Sequence, residues 1–580
     1  MTEVLDLTAS ELAVRRPRRF RFGSIGWIGL AVAVTGLVGM PTFQIIRTGV
    51  RGGSSTVTTA RHLPGIGETL IRTLYLGLGS ATLALSLGVL LAWWVSRLSG
   101  RLRVVAGLVP VLPVLVPAPV MVVGWTFLLS PRVGYANQLL RKLPFLNHLE
   151  TGPIDVYTTP WIILLTALIL TPFAFFFVNG ALETLGSDYE AAAAVSGARP
   201  RRAFFTIMLP LLRPSLVYAF AIVLVLGAGQ FTAPLLLGRQ QGVDVLTTEI
   251  YKLTERFPVQ YALGSVLGSP LLALGLLVVV LQRRAIGDQR RFVTGRDRDP
   301  VGGSNSAWRL APLALYAGVL LLPLLAIIHV AFSPFWSGEF TFKNYTMKNF
   351  DAVLGDDRVM NAFKTSIWAA FVAILIIVPL TFFAALALAP GSNVHAVLRN
   401  VIDFVVNMPV GIPATVFGFG VLLSYTQSPF RFYGSITVVI IVYVTIMLPF
   451  ATRLQLAALM SQGLDYREAS AVSGARPWRT VVKIIAPLAR AGIVSATLLT
   501  FILLMHEFSA SLMVRAPQTV VVGALLYEFY SQGNYAKAAV FSLLIVVVTG
   551  MGVLLARILG GGKRAPKAST EPAANQKGTA

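Results

Sequence analysis

The chain has no cysteine and few charged residues, and each scarcity removes a class of function. Without cysteine there can be no disulfide, no thiolate metal site and no cysteine nucleophile. Charged residues make up only 13% of the 580 positions, too few for an ordinary soluble protein of this length. The phosphate-binding pattern G-x-x-x-x-G-K-[ST] is also missing, because the Lys364–Thr365 pair follows Phe363 instead of glycine. The sequence therefore contains no P-loop nucleotide site.

Apolar residues dominate instead, at 55% of the chain with a mean hydropathy of +0.72. Many apolar runs are long enough to cross a hydrocarbon core of about 30 Å. The formal net charge of +23 fits a membrane protein, in which arginine accumulates in cytoplasmic loops, and it is no indication of nucleic-acid binding. The N-terminal arginines precede an apolar run without a small-residue cleavage pattern, which predicts a retained first span.

Twelve apolar runs predict twelve helices, because the backbone inside a bilayer must satisfy its own hydrogen bonds. They fall near 23–46, 69–97, 104–130, 160–183, 212–238, 260–282, 308–332, 362–389, 396–425, 434–459, 490–514 and 536–558. Basic residues cluster in alternate loops, which we take as the inner ones: Arg97, Arg101, Arg103, Arg199, Arg201, Arg202, Arg283, Arg284, Arg290, Arg291, Arg476, Arg479, Lys483, Lys563 and Arg564. The predicted outer loops near 239–259 and 333–361 lack such an excess. We therefore predict an all-α, multi-pass membrane protein with both termini in the cytoplasm.

The two halves of the chain repeat each other. Pro172 recurs as Pro449 and Phe231 as Phe508 at one constant spacing. An even number of spans separates the copies, so two parallel six-helix units related by an axis along the membrane normal are expected. We predict a cytoplasmic tail at 1–22, a first unit at 23–283 with its core at 69–282, and a cytoplasmic linker at 284–307. A second unit follows at 308–560 with its core at 361–558, and then a disordered cytoplasmic tail at 561–580.

One polar, basic segment is duplicated between the spans, at 187–211 and 464–488. In the second copy Asp465 and Glu468 form a D-x-x-E pattern close to a capping box, which predicts a helix start. Gly474 can adopt the left-handed conformation that ends a helix, and Pro477 suits the first turn of the next. We therefore predict two short helices at an angle on the membrane surface. Such an element fits a groove on a partner protein, with apolar anchors and an arginine rim.

This segment resembles the EAA motif of permease subunits in type I binding-protein-dependent ABC importers, E-A-A-x3-G-x9-I-x-L-P. The second copy matches at Glu468, Ala469, Gly474, Ile484 and Pro487, and departs at Ser470 and Ala486. The first copy matches at Ala192, Ala193, Gly197, Ile207, Leu209 and Pro210, but Ala191 occupies the glutamate position and the acid is one residue earlier, at Glu190. The fused two-unit arrangement is similar to the ferric-iron permeases of bacteria.

The resemblance implies a permease that is not itself an enzyme and holds no cofactor or metal. ATP and Mg would be bound by two ABC ATPase copies, identical or different, and an extracytoplasmic binding protein would deliver the solute. The predicted ATPase-coupling residues are Glu190, Ala192, Gly197, Arg199, Pro210, Glu468, Ala469, Gly474, Arg476 and Pro487. The shift at Glu190 puts its family role in question, because one residue turns a side chain by about 100° around a helix.

Polar residues inside the predicted spans are candidates for the translocation pathway. A charged carboxylate at mid-bilayer costs roughly 2.5–3.5 kcal/mol on insertion scales and should face a cavity or a partner. On that ground Gln230, Asn407, His506 and Glu507 are predicted to line the pathway, with a buried hydrogen bond between helices as the alternative for Gln230, His506 and Glu507. Ferric iron is the favoured substrate, and thiamine, polyamine or aminophosphonate remain alternatives. A twelve-span secondary transporter or a membrane scaffold would be a different class.

Overall fold

A computed structural model describes residues 24–185, 188–289, 307–341, 343–392, 394–426, 428–461 and 465–560. The predicted tails at 1–22 and 561–580, and most of the predicted linker, lie outside these ranges. The described chain is built from α-helices, with short 3-10 and π-helical turns between them.

The first half contains fifteen α-helices among the described residues. They are α1 (Ser24–Arg51), α2 (Gly53–Arg61), α3 (Ile66–Ser96), α4 (Gly100–Ala106), α5 (Leu112–Leu115), α6 (Ala118–Leu129), α7 (Tyr135–Leu140), α8 (Thr159–Thr184), α9 (Asp188–Val195), α10 (Pro200–Ala203), α11 (Leu209–Leu211), α12 (Arg213–Ala228), α13 (Thr232–Leu237), α14 (Leu246–Glu255) and α15 (Tyr261–Gln289). Helix α15 continues past residue 283, where the sequence placed the start of the linker.

The second half repeats this order with thirteen described α-helices. They are α16 (Ala311–Phe332), α17 (Lys348–Leu354), α18 (Asp357–Leu388), α19 (Ala396–Gly411), α20 (Ala414–Tyr425), α21 (Ile436–Met460), α22 (Asp465–Val472), α23 (Pro477–Thr480), α24 (Ala486–Leu488), α25 (Arg490–Met505), α26 (Ser509–Val514), α27 (Val522–Ser531) and α28 (Tyr535–Gly560).

Nine of the described helices are long and apolar enough to cross a membrane, and three bent helix pairs raise the number to twelve. This agrees with the twelve predicted spans. The predicted runs at 104–130 and 396–425 are not straight, however, because they bend by 88° and 112° where α6 and α20 begin. Pro117 and Pro413 stand at these bends. A proline has no backbone N–H and clashes with the preceding turn, so it breaks the helical ladder at these points.

The two halves run in the same direction through the bundle. In the first half, the Leu246 N–H donates to the Thr73 hydroxyl near the start of α3 at 2.9 Å. Arg97, just beyond the other end of α3, forms an ion pair with Glu190 of the duplicated segment. In the second half, the Val522 N–H donates to the Ser366 hydroxyl near the start of α18 at 2.9 Å. The Gln455 amide of α21 reaches the Val378 carbonyl further along α18, so the segment that follows α21 lies at the far end. Both duplicated segments therefore lie at one end of the bundle, which we call the coupling end.

Each half contributes its first helix to the other half. Helix α1 packs against α19 and α20, whereas α16 packs against α6. The two contacts match: a Cβ on Gly124 would lie 2.5 Å from the Pro323 carbonyl oxygen, and a Cβ on Gly420 would lie 2.8 Å from that of Pro41. Only glycine allows helices to approach this closely without displacing backbone. The first helix of each half therefore packs closely against the other half.

Candidate functional site

Each duplicated segment folds into a helix, a sharp turn and a second short helix, as the sequence predicts. Helix α9 is followed by Gly197 with φ of 76°, and α22 by Gly474 with φ of 74°. L-residues with a Cβ adopt this left-handed backbone at a cost, and glycine adopts it freely. The next helix begins in each copy at a proline, Pro200 or Pro477, whose missing N–H is not needed in a first turn.

Equivalent hydrogen bonds close the two turns. The Ala198 N–H donates to the Ala193 carbonyl at 2.9 Å, and the Ala475 N–H donates to the Ser470 carbonyl at 3.1 Å. Each bond spans six residues around the left-handed glycine, which is the Schellman arrangement of a helix C-terminus. The turn angle is therefore fixed by the backbone and by one glycine in each copy.

We call each helix–turn–helix an elbow: the first consists of α9 and α10, and the second of α22 and α23. A π-helical turn follows each elbow and connects it to a membrane span. It covers Phe204–Met208 in the first copy and Val481–Ile485 in the second, and Pro210 and Pro487 follow two residues after its end. Proline cannot donate the hydrogen bond that would continue the α-helical ladder, and a π turn is a frequent local adjustment at functional sites. The two prolines of the motif thus mark where the surface element becomes the span.

The side chains inside the two elbows differ. Glu190 is buried, with its carboxylate 3.5 Å from the guanidinium of Arg97 beyond the end of α3. Burial lowers the pKa of Arg97, and the charge of Glu190 opposes that effect. The acid therefore ties the first element to its own half and is withdrawn from the surface. Ser187, which has the spacing of a capping box with Glu190, lies outside the described residues.

The second elbow contains a different internal contact. The hydroxyls of Ser470 and Thr480 lie 2.7 Å apart, and both side chains are buried. The repeat-related residues of the first copy are Ala193 and Ala203, which are buried without hydroxyls. Glu468 is helical, but its side chain lies outside the described part of the structure. Ala469 is exposed on the same helix.

The tips of both elements expose apolar side chains. Val195 is 90% exposed and its repeat mate Val472 is 83% exposed, and Tyr189 and Tyr466 form a second exposed pair. Arg199 and Arg476, together with Ala192, are exposed on the same elements. An apolar tip beside arginines is the pattern of an interaction surface, because large exposed apolar side chains repeated at one place mark a contact site.

The predicted pathway residues at the helix breaks are satisfied locally. The backbone N–H groups of Ala510 and Ser511 each donate to a Glu507 carboxylate oxygen at 2.8 Å. Glu507 thus caps the N-terminus of α26, where the helix dipole favours a negative charge. Its repeat mate Gln230 accepts the Phe231 N–H at 3.0 Å on its side-chain oxygen. His506 places Nε2 3.3 Å from the Thr549 hydroxyl of α28.

Asn407 belongs to a separate polar group on α19 and α21. Its amide donates to the Asp403 carbonyl at 2.6 Å, and its oxygen accepts from Arg453 Nε at 3.1 Å. Arg453 also pairs with the Asp403 carboxylate at 3.0 Å. Arg453 is 48% exposed at its side chain, so the group faces an accessible surface. The repeat places Phe176 where Arg453 stands, so the first half has no matching ion pair.

Four aromatic side chains meet where the two halves join, at the end of the bundle opposite the coupling end. Ring centroids are 5.9 Å apart for Phe231–Phe508, 5.5 Å for Phe231–Tyr251, and 6.4 Å for both Phe508–Tyr527 and Tyr251–Tyr527. All four are buried. We call Phe231, Tyr251, Phe508 and Tyr527 the aromatic cluster. Its tyrosines were missed from sequence, because their spacing differs by one residue from that of the phenylalanines.

Metal-binding side chains do not converge in the part of the chain that the structure describes. No group of three or more His, Asp or Glu side chains there could hold a metal ion.

The fold and the duplicated elbow define a class of membrane transport component, and a family comparison agrees. The model of the family described as "binding-protein-dependent transport system inner membrane component" matches the chain twice, at residues 84–288 and 377–561. The chain therefore belongs to this family, and it carries two copies of the domain in one polypeptide.

Some relatives match most of this chain, and others match less than half of it. A ferric transport system permease protein of Actinobacillus pleuropneumoniae is 27% identical over 509 residues, which cover 84% of this chain and 70% of the relative. A second protein named for ferric transport, from Haemophilus influenzae, is 28% identical over 73% of this chain and 66% of its own length. A molybdenum transport system permease protein of Mycobacterium tuberculosis is 32% identical, and covers 39% of this chain but 82% of the relative. One repeat of this chain thus corresponds to most of that shorter protein.

Proposed function

We propose that this chain is the permease subunit of an ATP-driven importer, and that ATPase subunits bind its two elbows. The observation that carries the proposal is the pair of glycine-jointed elements at one end of the bundle, each with an exposed valine tip. The two elements have the same backbone conformation at the turn and occur at equivalent positions of the repeat. Two copies of one partner protein would need two such equivalent surfaces. Family membership favours this over a secondary transporter, which needs no such element.

The coupling end faces the cytoplasm in this proposal. Arginines concentrate there, at 97–103, at 199–202 and at 476–479. The opposite end mixes both signs around α14, with Asp244, Glu249 and Glu255 beside Arg239 and Lys252. Basic residues are retained on the cytoplasmic side of bacterial membrane proteins, so the asymmetry supports this orientation. An extracytoplasmic binding protein would then deliver solute at the mixed-charge end.

Ferric iron is the substrate that the comparisons favour. Both long relatives are named for ferric transport, and each match covers more of this chain than one repeat. The single-repeat relatives are named for molybdenum and for 2-aminoethylphosphonate, so the permease fold itself does not select the solute. We place selectivity mainly in the binding protein, because the described residues contain no group of three or more His, Asp or Glu side chains that could hold a metal ion.

Association with the ATPase is tested by replacing the apolar tips. Burying a valine contributes about 1.5–3 kcal/mol, so Val195→Asp and Val472→Asp together should lower ATPase affinity by at least about a hundredfold. Leu354→Asp is the matched control, because Leu354 is also exposed but lies on α17 away from the coupling end. Co-purification from detergent measures the result. Equal ATPase recovery from all variants would contradict the docking role.

The substrate is tested in proteoliposomes that contain the chain, its ATPase and the binding protein of the same system. We expect ATP-dependent accumulation of radiolabelled ferric iron, and no accumulation of thiamine, spermidine, 2-aminoethylphosphonate or molybdate. Accumulation of one of these in place of iron would reassign the substrate while leaving the permease role intact. Absence of ATP-dependent uptake for every solute, with ATPase bound, would contradict the importer.

A further inference from the structure

The end of the bundle opposite the coupling end, which we call the outer end, has two sides related by the repeat. On one side the start of α15 is flanked by α2 and by the loop 426–435, which follows α20. A Cβ on Gly52 would lie 3.1 Å from the Ala262 Cβ, so α2 packs on α15. A Cβ on Gly264 would lie 2.8 Å from Phe419 Cζ, so α20 packs on α15 as well. The two segments therefore share one side of the outer end.

This side carries several exposed arginines. Those without a carboxylate partner in the described part of the chain are Arg51, Arg61, Arg256 and Arg431, which we call the basic patch. The acids of this region are already engaged in ion pairs: Glu68–Arg72, Glu249–Lys252 and Glu255–Arg515. Neither 41–67 nor 426–435 contains any Asp or Glu. The positive charge of the patch is therefore not neutralised locally.

Arg431 has an unusual backbone conformation. Its φ is 48°, and it is the only residue other than glycine with a positive φ among the residues that the structure describes. A side chain with a Cβ adopts this conformation at a cost, and such costs are concentrated at functional positions. The Phe432 N–H donates to the Tyr425 carbonyl at 2.7 Å and closes the loop around Arg431. Glycine would close the same loop without strain, so the exposed arginine side chain indicates a role in contact.

The other side of the outer end has the same helices and a different charge. Helix α17 takes the place of α2, and it packs against α28 as α2 packs against α15. Exposed acids and bases occur together around α17: Glu339, Lys343, Lys348, Asp351 and Asp357. Arg358 is neutralised by Asp356 and Glu528, each at 2.8 Å. This side therefore has no excess of one sign comparable to the basic patch.

Membrane topology does not explain the basic patch. Arginine in an outer loop runs against the tendency of basic residues to remain in the cytoplasm. An exposed field of one sign increases the association rate of an oppositely charged partner and suppresses wrong orientations. The two sides have equivalent helices, so a partner with two domains could otherwise dock in either of two orientations. The charge difference distinguishes these orientations.

We propose that the basic patch binds an acidic surface on one domain of the extracytoplasmic binding protein, and that it thereby determines which domain faces which side of the outer end. The proposal rests on the proposed importer function. Binding proteins of this kind close two domains around their solute, so each side of the outer end receives one domain. In the reversed orientation the acidic surface would lie over the mixed charges around α17 and lose its attraction.

Charge reversal in the assembled transporter tests the patch. In nanodiscs that contain the chain and its ATPase, Arg51→Glu with Arg61→Glu should raise the binding-protein concentration for half-maximal ATPase stimulation by at least about tenfold at low salt. The maximal rate, and the basal rate without binding protein, should stay unchanged, which also shows that the variant is folded. The difference from the parent should shrink with added salt, because screening acts over about 10 Å at 0.1 M.

Arg132→Glu with Lys142→Glu is the matched control. Both residues are exposed in the loop 131–158, which is the repeat counterpart of the loop 426–435. A Cβ on Gly338 would lie 2.8 Å from the Val133 carbonyl oxygen, so this loop packs on the segment that follows α16, on the other side of the outer end. The control makes the same change of charge and should leave the half-maximal concentration within about twofold of the parent. An equal rise in both variants would overturn the proposal.

Photo-crosslinking tests the orientation directly. A benzophenone amino acid replaces Val57 on α2 or, in a second variant, Leu354 on α17, and both positions are exposed. After irradiation with the binding protein of the same system, mass spectrometry identifies the captured peptides. The first position should capture acidic peptides from one domain, and the second should capture peptides from the other domain. Capture of both domains at each position would overturn the single orientation.

Anionic lipid is the other chemistry that an arginine patch fits, and the charge-reversed variant distinguishes it. An effect of Arg51→Glu with Arg61→Glu that occurs in nanodiscs of phosphatidylglycerol and is lost in phosphatidylcholine would assign the patch to lipid and overturn the proposal. If solute is taken up and charge reversal does not weaken docking, the patch proposal falls and the importer stands. If charge reversal weakens docking but no solute accumulates in the parent, the docking surface stands and the importer falls.

Discussion

The hydroxyl pair in the second elbow gives the sharpest quantitative prediction. Ser470 and Thr480 lie 2.7 Å apart and are buried, while the first elbow folds through the same turn with Ala193 and Ala203. Removing one hydroxyl leaves the other buried without this partner, which costs about 1–3 kcal/mol. Removing both hydroxyls removes the unsatisfied group as well and should be nearly neutral. We therefore expect a non-additive double-mutant cycle.

The cycle consists of Ser470→Ala, Thr480→Val and the double variant. Thr480 keeps a long contact to the Arg476 carbonyl at 3.4 Å, so Ser470→Ala should lie at the lower end of the range. With the double variant near zero, the interaction free energy equals the two single costs together, about 2–4 kcal/mol in magnitude. Valine is used at position 480 because it retains the branched shape of threonine and removes only the polar atom.

Hydrogen exchange measured by mass spectrometry reports this local free energy without requiring global two-state unfolding. Each single variant should lower amide protection in 465–488 by about 5–150-fold, since 1.4 kcal/mol corresponds to a factor of ten. The double variant should stay within about threefold of the parent. The corresponding segment of the first copy, 188–211, is an internal control in the same molecule. Losses in the double variant equal to the sum of both single losses would refute the reasoning.

Three further substitutions test other parts of the structure. Gly474→Val should uncouple ATP hydrolysis from uptake, because φ of 74° costs a β-branched residue at least about 1–2 kcal/mol, and Gly474→Asn should retain more coupling in the same uptake assay. Gly420→Ala should lower thermal stability by about 1–3 kcal/mol, since its Cβ would lie 2.8 Å from the Pro41 carbonyl; an unchanged melting temperature would contradict the close approach. Glu190→Ala should destabilise the first elbow by about 3–5 kcal/mol by leaving buried Arg97 without its carboxylate, and adding Arg97→Leu should recover part of the lost protection against hydrogen exchange.

Local chemistry made the helix number and the elbows predictable. Apolar runs of sufficient length can only be helices in a bilayer, and the spacing of glycine and proline in 187–211 and 464–488 specifies a helix, a turn and a helix. Those features depend on neighbouring residues alone. The bends at Pro117 and Pro413 were not predicted, although each proline signals a break. A run of apolar residues does not reveal whether neighbouring helices will tolerate the bend.

Contacts between distant residues could not be predicted in the same way. Glu190 meets Arg97 only because α3 and α8 run parallel and bring the two ends together. The exchange of α1 and α16 between the halves depends on close approach at Gly124 and Gly420, and glycine inside an apolar run has many possible uses. The residues predicted to line the pathway show the same limit. Glu507 is a helix cap, a role that becomes visible only when the break before α26 is known.

The differences between the two elbows indicate what the repeat has to preserve. The left-handed glycine, the closing hydrogen bond, the π turn and the exposed valine occur in both copies. Among the described side chains the internal contacts differ, because an ion pair joins the first elbow to α3 and a pair of hydroxyls lies inside the second elbow. Side chains beneath the turn can therefore vary as long as the backbone path and the apolar tip stay the same. A partner that grips both elements must recognise that shared surface, which is why Val195 and Val472 are better test positions than the displaced glutamate.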